Sequence, residues 1–213
     1  MKTIYFVRHG ESVGNAAPVF QSPDEILSEK GRKQAEFLAK RAEHLPIQTL
    51  VASTMTRAQE TARIISSRIH KEVESSDLFV ERRSPSEIVG RSLHDEEAKR
   101  WAKEWERSIF SSNTRFSNAE NFDDLRQRAL QGLAFLEKRT ESDILVVSHG
   151  FSLRMLIGQI IFGDLLTPEF FEKKMNFGML TKNTGISVVR CDPEALRKWS
   201  LLVWNDHAHL ADA

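Results

Sequence analysis

Two short segments of this chain share a form. Phe6-Val7-Arg8-His9-Gly10 and Val146-Val147-Ser148-His149-Gly150 each run from an apolar stretch through a polar residue to a His-Gly pair. Arg8 stands beside His9, and Arg57 stands near the start of a helical pattern. Two guanidinium forks, two imidazoles and the positive end of a helix opening after Gly150 suit a tetrahedral dianion, because arginine matches phosphate oxygens bidentately and a helix N-terminus offers free N–H groups. The glycines are expected to let backbone N–H groups approach such a ligand closely. Taken singly, a His-Gly turn is an ordinary turn, and an arginine at a helix start is an ordinary surface charge. The pairing of two matched turns, with Arg8 adjoining one of them, points to a site.

Elements that can bring these residues together are legible on either side of them. Thr3–Val7 and Asp143–Val147 read as buried strands, apolar and rich in β-formers. Gln48–Ala52 is a third strand, broken by Ser53 and Thr54. Ala35, Leu38, Ala39 and Ala42 recur at helical spacing after a capping Ser28. Ala58, Ala62, Ile65 and Ile69 make a second stripe, and Leu125, Ala129, Leu133 and Leu136 a third, with Asp123 or Asp124 as its expected cap. A helix is expected over 151–162, a short extended segment over 77–81, and closing strands over 186–190 and 200–204. Strands alternating with helices predict an α/β fold, a three-layer αβα arrangement around a mainly parallel sheet. In such sheets the strand C-termini line one crevice where ligands bind. His9 and His149 can therefore meet there, and Arg57 can reach the same crevice.

The whole chain sets outer limits. Its 213 residues suit a single domain, 1–213, in which 82–121 has the weakest pattern and reads as a small insertion of short helices and loops over the site. Hydrophobic residues at 40% give enough apolar mass for a core, and 30 basic residues balance 30 acidic ones, so no global basic field favours nucleic acid. An anion site must be built locally. Cys191 is the only cysteine, which rules out an intrachain disulfide and fits a reducing cytoplasm. No stretch of roughly 20 apolar residues exists to span a bilayer, and no secretory leader is read. His207 and His209 lack a third ligand in their neighbourhood, so no metal site is expected.

Phe6-Val7-Arg8-His9-Gly10-Glu11-Ser12 resembles the signature of the histidine phosphatase superfamily, also called phosphoglycerate mutase-like. The likeness continues through Asn15, Leu27–Ala35, the segment Ser53-Thr54-Met55-Thr56-Arg57-Ala58-Gln59-Glu60-Thr61-Ala62, Ser148-His149-Gly150, Asn183–Ser187, and Asn205-Asp206 followed by His209-Leu210, in the family's order. The resemblance implies a phosphohydrolase needing no cofactor. His9 would be the nucleophile, Arg8, Arg57, His149 and Gly150 would hold the phosphoryl group, and Asn15 and Gln21 would add contacts. Glu81 would be the proton donor. The physical account agrees: a histidine nucleophile needs one unprotonated nitrogen, so its other nitrogen should donate to a fixed acceptor. A carboxyl that protonates a departing alkoxide needs a raised pKa, from burial or from the substrate's charge.

A phosphoglycerate mutase-type isomerase is the first rival, sharing the pocket and differing in what meets the phosphohistidine. An inactive phosphate-binding or partner-binding module is the second, and the presence of His9, Arg57 and His149 speaks against it. The expected substrate is a phosphorylated small molecule, with a phosphoprotein left open and no nucleic-acid or membrane partner. Arg82, Arg83 and Arg91 are candidates for reading a second anionic group, against the simpler reading of a solvated basic face. Trp101, Trp105, Phe110 and Phe116 are candidates for an apolar substrate wall, against the simpler reading of core.

Overall fold

The computed structural model describes residues 1–16, 18–111 and 114–211, excluding the side chains of Asn15 and Ala16. In chain order it contains β1 (Lys2–Arg8), α1 (Val13–Ala16), α2 (Glu29–Ala42), β2 (Thr49–Ala52), α3 (Thr56–Ile69), β3 (Val73–Ser75), α4 (Glu96–Ile109), α5 (Phe122–Lys138), β4 (Asp143–Ser148), α6 (Gly150–Phe162), α7 (Pro168–Phe170), β5 (Ile186–Cys191) and β6 (Trp199–Asp206). The strands form one six-stranded sheet in the order β3-β2-β4-β1-β5-β6. β3, β2, β4 and β1 run parallel, and β5 runs against both its neighbours. This is the mainly parallel α/β sheet the sequence predicts.

Alternation along the central strands makes the layers. Ile4, Phe6, Ile144 and Val146 face one core with Leu125, Leu133 and Leu136 of α5 and Leu153, Leu156 and Ile157 of α6. Tyr5, Val7, Leu145 and Val147 face the other core with Leu38 and Ala39 of α2 and Ala58, Ala62 and Ile65 of α3. Covering both faces of a parallel sheet requires continuous apolar strands, which β1 and β4 supply.

Several boundaries differ from the sequence expectation. Ser28 caps α2 as expected, its hydroxyl accepting from Gly31 N–H. α5 is capped by Asn121 instead of either aspartate. Asn121 accepts from Asp124 N–H while the Asp124 carboxylate accepts from Asn121 N–H, so the acid is the return half of a capping box. Residues 77–79 form a 3₁₀ turn capped by Ser76, in place of an extended segment. β3 is a three-residue edge strand outside the elements expected from the sequence. The weak region holds one 14-residue helix, α4, with Asp95 as its cap. Ala98, Trp101, Trp105 and Ile109 make its inner stripe; Trp105 and Phe110 are core, and Trp101 and Phe116 pack partly buried against it.

A buried ion pair ties this region to the sheet. Arg128 of α5 donates from Nε and Nη2 to the two Glu120 carboxylate oxygens, both at under 3 Å, and from Nη1 to the Val80 carbonyl at 2.6 Å. Glu120 also accepts from Arg83 N–H at 2.8 Å. Removing one member would strand the other in a dry site. Arg128→Ala should therefore cost about 3–5 kcal/mol of unfolding free energy in denaturant titrations. A loss below about 1 kcal/mol would show that this pair does not anchor the segment.

Candidate active site

The register of β1 against β4 assembles the site. Val7 pairs with Val147 and Arg8 with Ser148, so His9 and His149 leave adjacent strands side by side. Their ring centroids stand 5.0 Å apart. β2 lies on the far side of β4, with Ala52 beside Val147, which places Ser53 next to His149. Three strand ends thus deliver His9, His149 and Ser53 in a row, and α3 begins just beyond with Arg57.

His9 is 2% exposed, and its ring is held from one side. Its Nδ1 stands 2.6 Å from the Gly10 carbonyl oxygen, which can only accept, so Nδ1 carries the hydrogen. Nε2 keeps a lone pair and accepts from Arg57 Nε at 3.2 Å. The His9 pKa is pushed well below its ordinary value, by burial first and then by the charges of His149, Arg57 and Arg8, against the weaker pull of the Gly10 carbonyl. The neutral tautomer with a free Nε2 is thereby the resting form. Backbone contacts fix the turn: Gly10 N–H donates to Thr61 Oγ1 at 3.1 Å, and Asn183 Nδ2 donates to the His9 carbonyl at 2.9 Å. The glycine does not open room for a ligand, as the sequence suggested. A Cβ on Gly10 would fall 2.4 Å from the Gly31 carbonyl oxygen, so the space is taken by α2.

His149 is fully buried, and its pKa is also driven well down, by burial and then by Arg57, Arg8 and Arg128. Its Nε2 stands 2.8 Å from Ser53 Oγ. That hydroxyl already accepts from Met55 N–H at 3.2 Å, and His149 Nε2 is the acceptor available to its hydrogen among the described residues. If the Ser53 hydroxyl gives its hydrogen to Nε2, the proton of His149 is on Nδ1, which is buried without a hydrogen-bond partner among the described residues. Arg8 Nη1 donates to the Thr181 carbonyl at 2.7 Å, while its Nε is likewise buried without a partner. Gly150 has a steric role here: a Cβ on it would stand 3.0 Å from Thr181 Oγ1 and 3.6 Å from Arg8 Nε.

Glu81 reaches the first turn of α6. Its carboxylate accepts from Phe151 N–H at 3.1 Å, Ser152 N–H at 3.2 Å and Arg82 N–H at 2.9 Å. Burial alone would raise its pKa. The N–H groups of Arg82 and Phe151, with the charges of Arg82 and Arg57, outweigh burial and hold the carboxyl below its ordinary value. Burial therefore does not give the raised value the sequence argument called for in the empty site. Arg57 and Glu81 line a pocket of about 310 Å³ together with Gln21, Ser22, Met55 and Trp105; His9, which Arg57 touches, and His149 are buried and do not line it. Gln21 Nε2 donates to Ser12 Oγ at 3.4 Å. The side chain of Asn15 falls outside the described residues.

Ser53, Thr61, Asn183 and Arg128 were not singled out from the sequence, although all but Arg128 lie in segments that carry the family resemblance. Ser53 reads as a strand breaker until its neighbour across the sheet is known. Glu120 is engaged with Arg128. His209 contacts Thr184 and Arg41, and among the described residues no group of three or more His, Cys, Asp or Glu side chains stands together as a metal-ligand set. No helix among them is long and apolar enough to cross a membrane.

Comparison with known proteins bears on this geometry. Residues 4–207 match the family model of the histidine phosphatase superfamily, branch 1. A probable phosphoglycerate mutase, GpmB of Erwinia tasmaniensis, is 30% identical over 100% of this chain and 96% of its own length. The uncharacterized phosphatase PhoE of Bacillus subtilis is 26% identical over 99% and 98%. Among solved structures, Bacillus stearothermophilus YhfR superposes with a TM-score of 0.82 at 26% identity, covering 98% of this chain and 99% of that one. A putative alpha-ribazole-5'-P phosphatase from Escherichia coli superposes at 0.78 with 23% identity, covering 97% and 98%, a likeness of fold.

The Ser53 geometry makes a prediction of its own. Imidazole ¹⁵N spectra should show His149 as the Nδ1–H tautomer in the parent protein. Ser53→Ala should abolish that preference and weaken inorganic phosphate binding about tenfold, the effect of a misdirected hydrogen bond to a charged group. An unchanged tautomer in Ser53→Ala would refute the assignment.

Proposed function

The chain belongs to the histidine phosphatase superfamily, and from that premise we propose that it is a phosphomonoester hydrolase in which His9 accepts the phosphoryl group. The observation that carries this reading is the His9 Nδ1–H bond to the Gly10 carbonyl, which leaves the Nε2 lone pair as the reactive position.

In the first step Nε2 forms a bond to phosphorus as the ester P–O bond breaks. Arg57 exchanges its contact with Nε2 for a phosphoryl oxygen. Arg8 Nε and His149 Nδ1–H, both without partners among the described residues, supply further donors to the equatorial oxygens as charge spreads over them. Gly150 leaves the space that the Thr181 hydroxyl occupies beside Arg8, and Asn15 and Gln21 are further candidate contacts. Glu81 gives its proton to the departing alkoxide. In the second step the Glu81 carboxylate takes a proton from water, the water oxygen bonds to phosphorus, and the P–N bond breaks to restore the His9 lone pair.

Glu81 is ionised in the empty site, so its proton must arrive with the substrate. A phosphomonoester has a second pKa of about 6 and enters partly as the protonated monoanion. The phosphoryl charge next to Glu81 then raises its pKa in place of burial. The phosphorylated substrate class is that of the family, and its chemistry beyond the phosphoryl group depends on the pocket wall. The competing reading is a mutase, favoured by the 30% identical relative. In that case a second substrate, instead of water, would take the phosphoryl group from His9.

Purified protein should release inorganic phosphate from p-nitrophenyl phosphate and from alkyl phosphates, and His9→Ala should abolish release from both. Phosphate transfer to a retained acceptor without net release would favour the mutase. Glu81→Gln should slow the burst phase with an alkyl phosphate by about a hundredfold or more, the typical scale of general acid catalysis. The loss with p-nitrophenyl phosphate should be far smaller, because that leaving group departs without a proton. For the parent, kcat/KM with the alkyl ester should rise as pH falls from about 8 towards 6, as the proton required by Glu81 becomes available. His9 does not reverse this rise, since its pKa lies well below the ordinary 6.5. Equal burst losses for both esters in Glu81→Gln would remove Glu81 as the acid.

A further inference from the structure

Met55 stands where α3 begins, at a position that ordinarily favours serine, threonine, aspartate or asparagine. Its side chain makes no capping bond. The backbone is nonetheless pinned: its N–H donates to Ser53 Oγ at 3.2 Å, and its carbonyl accepts from Ala58 and Gln59 N–H at 3.0 and 3.1 Å. The thioether turns to Arg57 instead. Arg57 Nη2 donates to Met55 Sδ at 3.4 Å, while Nε donates to His9 Nε2 at 3.2 Å and Nη1 to the Ser22 carbonyl at 3.1 Å. Every nitrogen of this buried guanidinium therefore has a partner.

The partners are unequal. Nε and Nη2 lie along one edge of the guanidinium and form a parallel pair of donors that can meet a phosphate bidentately. On that edge the occupants are an imidazole lone pair and a thioether. A thioether sulfur is a weak acceptor, so it holds Nη2 in place and yields to a phosphoryl oxygen. The character of this one sulfur atom thus decides how freely the fork can bind. A single oxidation changes that character, and Met55 is placed for it. It is partly exposed, and it lines both the pocket of about 310 Å³ beside Glu81 and a second pocket of about 240 Å³ beside Asp24 and Asp77. Met155 and Met175, by contrast, are 1% exposed. Cys191 is buried, and burial and then the charge of Glu137 raise its thiol pKa, which leaves little thiolate to react.

We propose that Met55 is a site of oxidative modification and that its sulfoxide inhibits the protein by capturing Arg57. The proposal rests on the hydrolase reading for the role of Arg57 and adds a regulation of that site. The oxidant is a hydroperoxide, hydrogen peroxide in the simplest case. A sulfur lone pair attacks one peroxide oxygen, and the S–O bond forms as the O–O bond breaks. The departing hydroxide takes the hydrogen of the transferred oxygen and leaves as water, so sulfur is oxidised and the peroxide reduced. The sulfoxide oxygen then faces Nη2 where the sulfur stood, and a charge-assisted hydrogen bond replaces a weak one. Phosphate must break that bond before it can use the fork. Reduction by methionine sulfoxide reductases restores the thioether.

The test exposes the protein to graded hydrogen peroxide, removes the peroxide with catalase, and follows p-nitrophenyl phosphate hydrolysis beside peptide mass mapping. Met55 should gain one oxygen before Met155 and Met175 do. With it kcat/KM should fall about tenfold, the scale of a hydrogen bond to a charged group. The fall should track the Met55 sulfoxide fraction and not that of Met1 or Met179, and reductases for both sulfoxide epimers should reverse it. Met55→Leu, which keeps the bulk and loses the sulfur, should hold its own untreated kcat/KM through the same exposure. Full oxidation of Met55 without loss of kcat/KM, oxidation of Met155 or Met175 ahead of it, or an equal loss in Met55→Leu overturns the proposal. Thermal unfolding checks that the leucine variant is folded. If it is not, the parent decides, since a loss that persists once Met55 is reduced again refutes the capture. Absence of hydrolysis by the untreated protein counts instead against the hydrolase reading. Calorimetric binding of inorganic phosphate before and after oxidation then decides on Met55: an affinity about tenfold weaker sustains the capture of Arg57, and equal affinities refute it.

Discussion

The hydrogen bond from His9 Nδ1 to the Gly10 carbonyl is short and local, and the proposed chemistry of the site depends on it. It fixes which nitrogen is free, and the surrounding fold serves to keep that turn in place. Thr61 holds the Gly10 N–H from α3, Asn183 holds the His9 carbonyl from the loop before β5, and α2 presses its Gly31 carbonyl into the space that a larger residue at position 10 would fill. The parallel register of β1 and β4 then brings the second imidazole alongside. Without the Gly10 contact the ring could turn or change tautomer, and proximity to Arg57 and His149 would no longer define a nucleophile.

Electrostatics give the site its direction. Arg8, Arg57, Arg82 and Arg154 all feel the charge of Glu81, and it is the carboxylate that partly offsets their withdrawal from water. Glu81 in turn is held by the first turn of α6, whose N–H groups favour its ionised form. The cluster is thus rich in cations and short of anionic oxygens when empty. A tetrahedral anion relieves this imbalance. On the proposed mechanism it would also move Glu81 from a cationic neighbourhood to one shared with phosphoryl oxygens, the change that a proton donor requires. The same helix end that favours the ionised form also fixes the position of the carboxyl.

The legible part of the sequence is the part with repetition or an unbroken apolar run. Two apolar strands each ending in His-Gly gave the central sheet and the pairing of the histidines, and the alanine-rich stripes gave α2 and α3. The αβ alternation gave the layers. What escaped depends on neighbours remote in sequence. Ser53 matters only because β2 lies beside β4, and Arg128 only because α5 passes beneath residues 78–81. Asn121 displaced the aspartates as cap because backbone direction, rather than charge, selects the residue that accepts. In α4 the helical spacing of Ala98, Trp101, Trp105 and Ile109 was present, but the flanking turn residues and the many charges between them obscured it. The direction of the Glu81 shift is not legible in the sequence, since it turns on the N–H groups of Arg82 and Phe151 and the charges of Arg82 and Arg57 outweighing burial.

The central claim is that Nε2 of His9 carries the phosphoryl group. The direct measurement is rapid acid-free quenching of the protein with ³²P-labelled substrate, followed by peptide mapping and ³¹P–¹⁵N correlation on histidine-labelled protein. The account predicts label on His9, bonded to Nε2, formed in the burst and lost at the rate of turnover. Label on Nδ1 of His9, label on His149, or steady turnover with no protein-bound phosphate would contradict it.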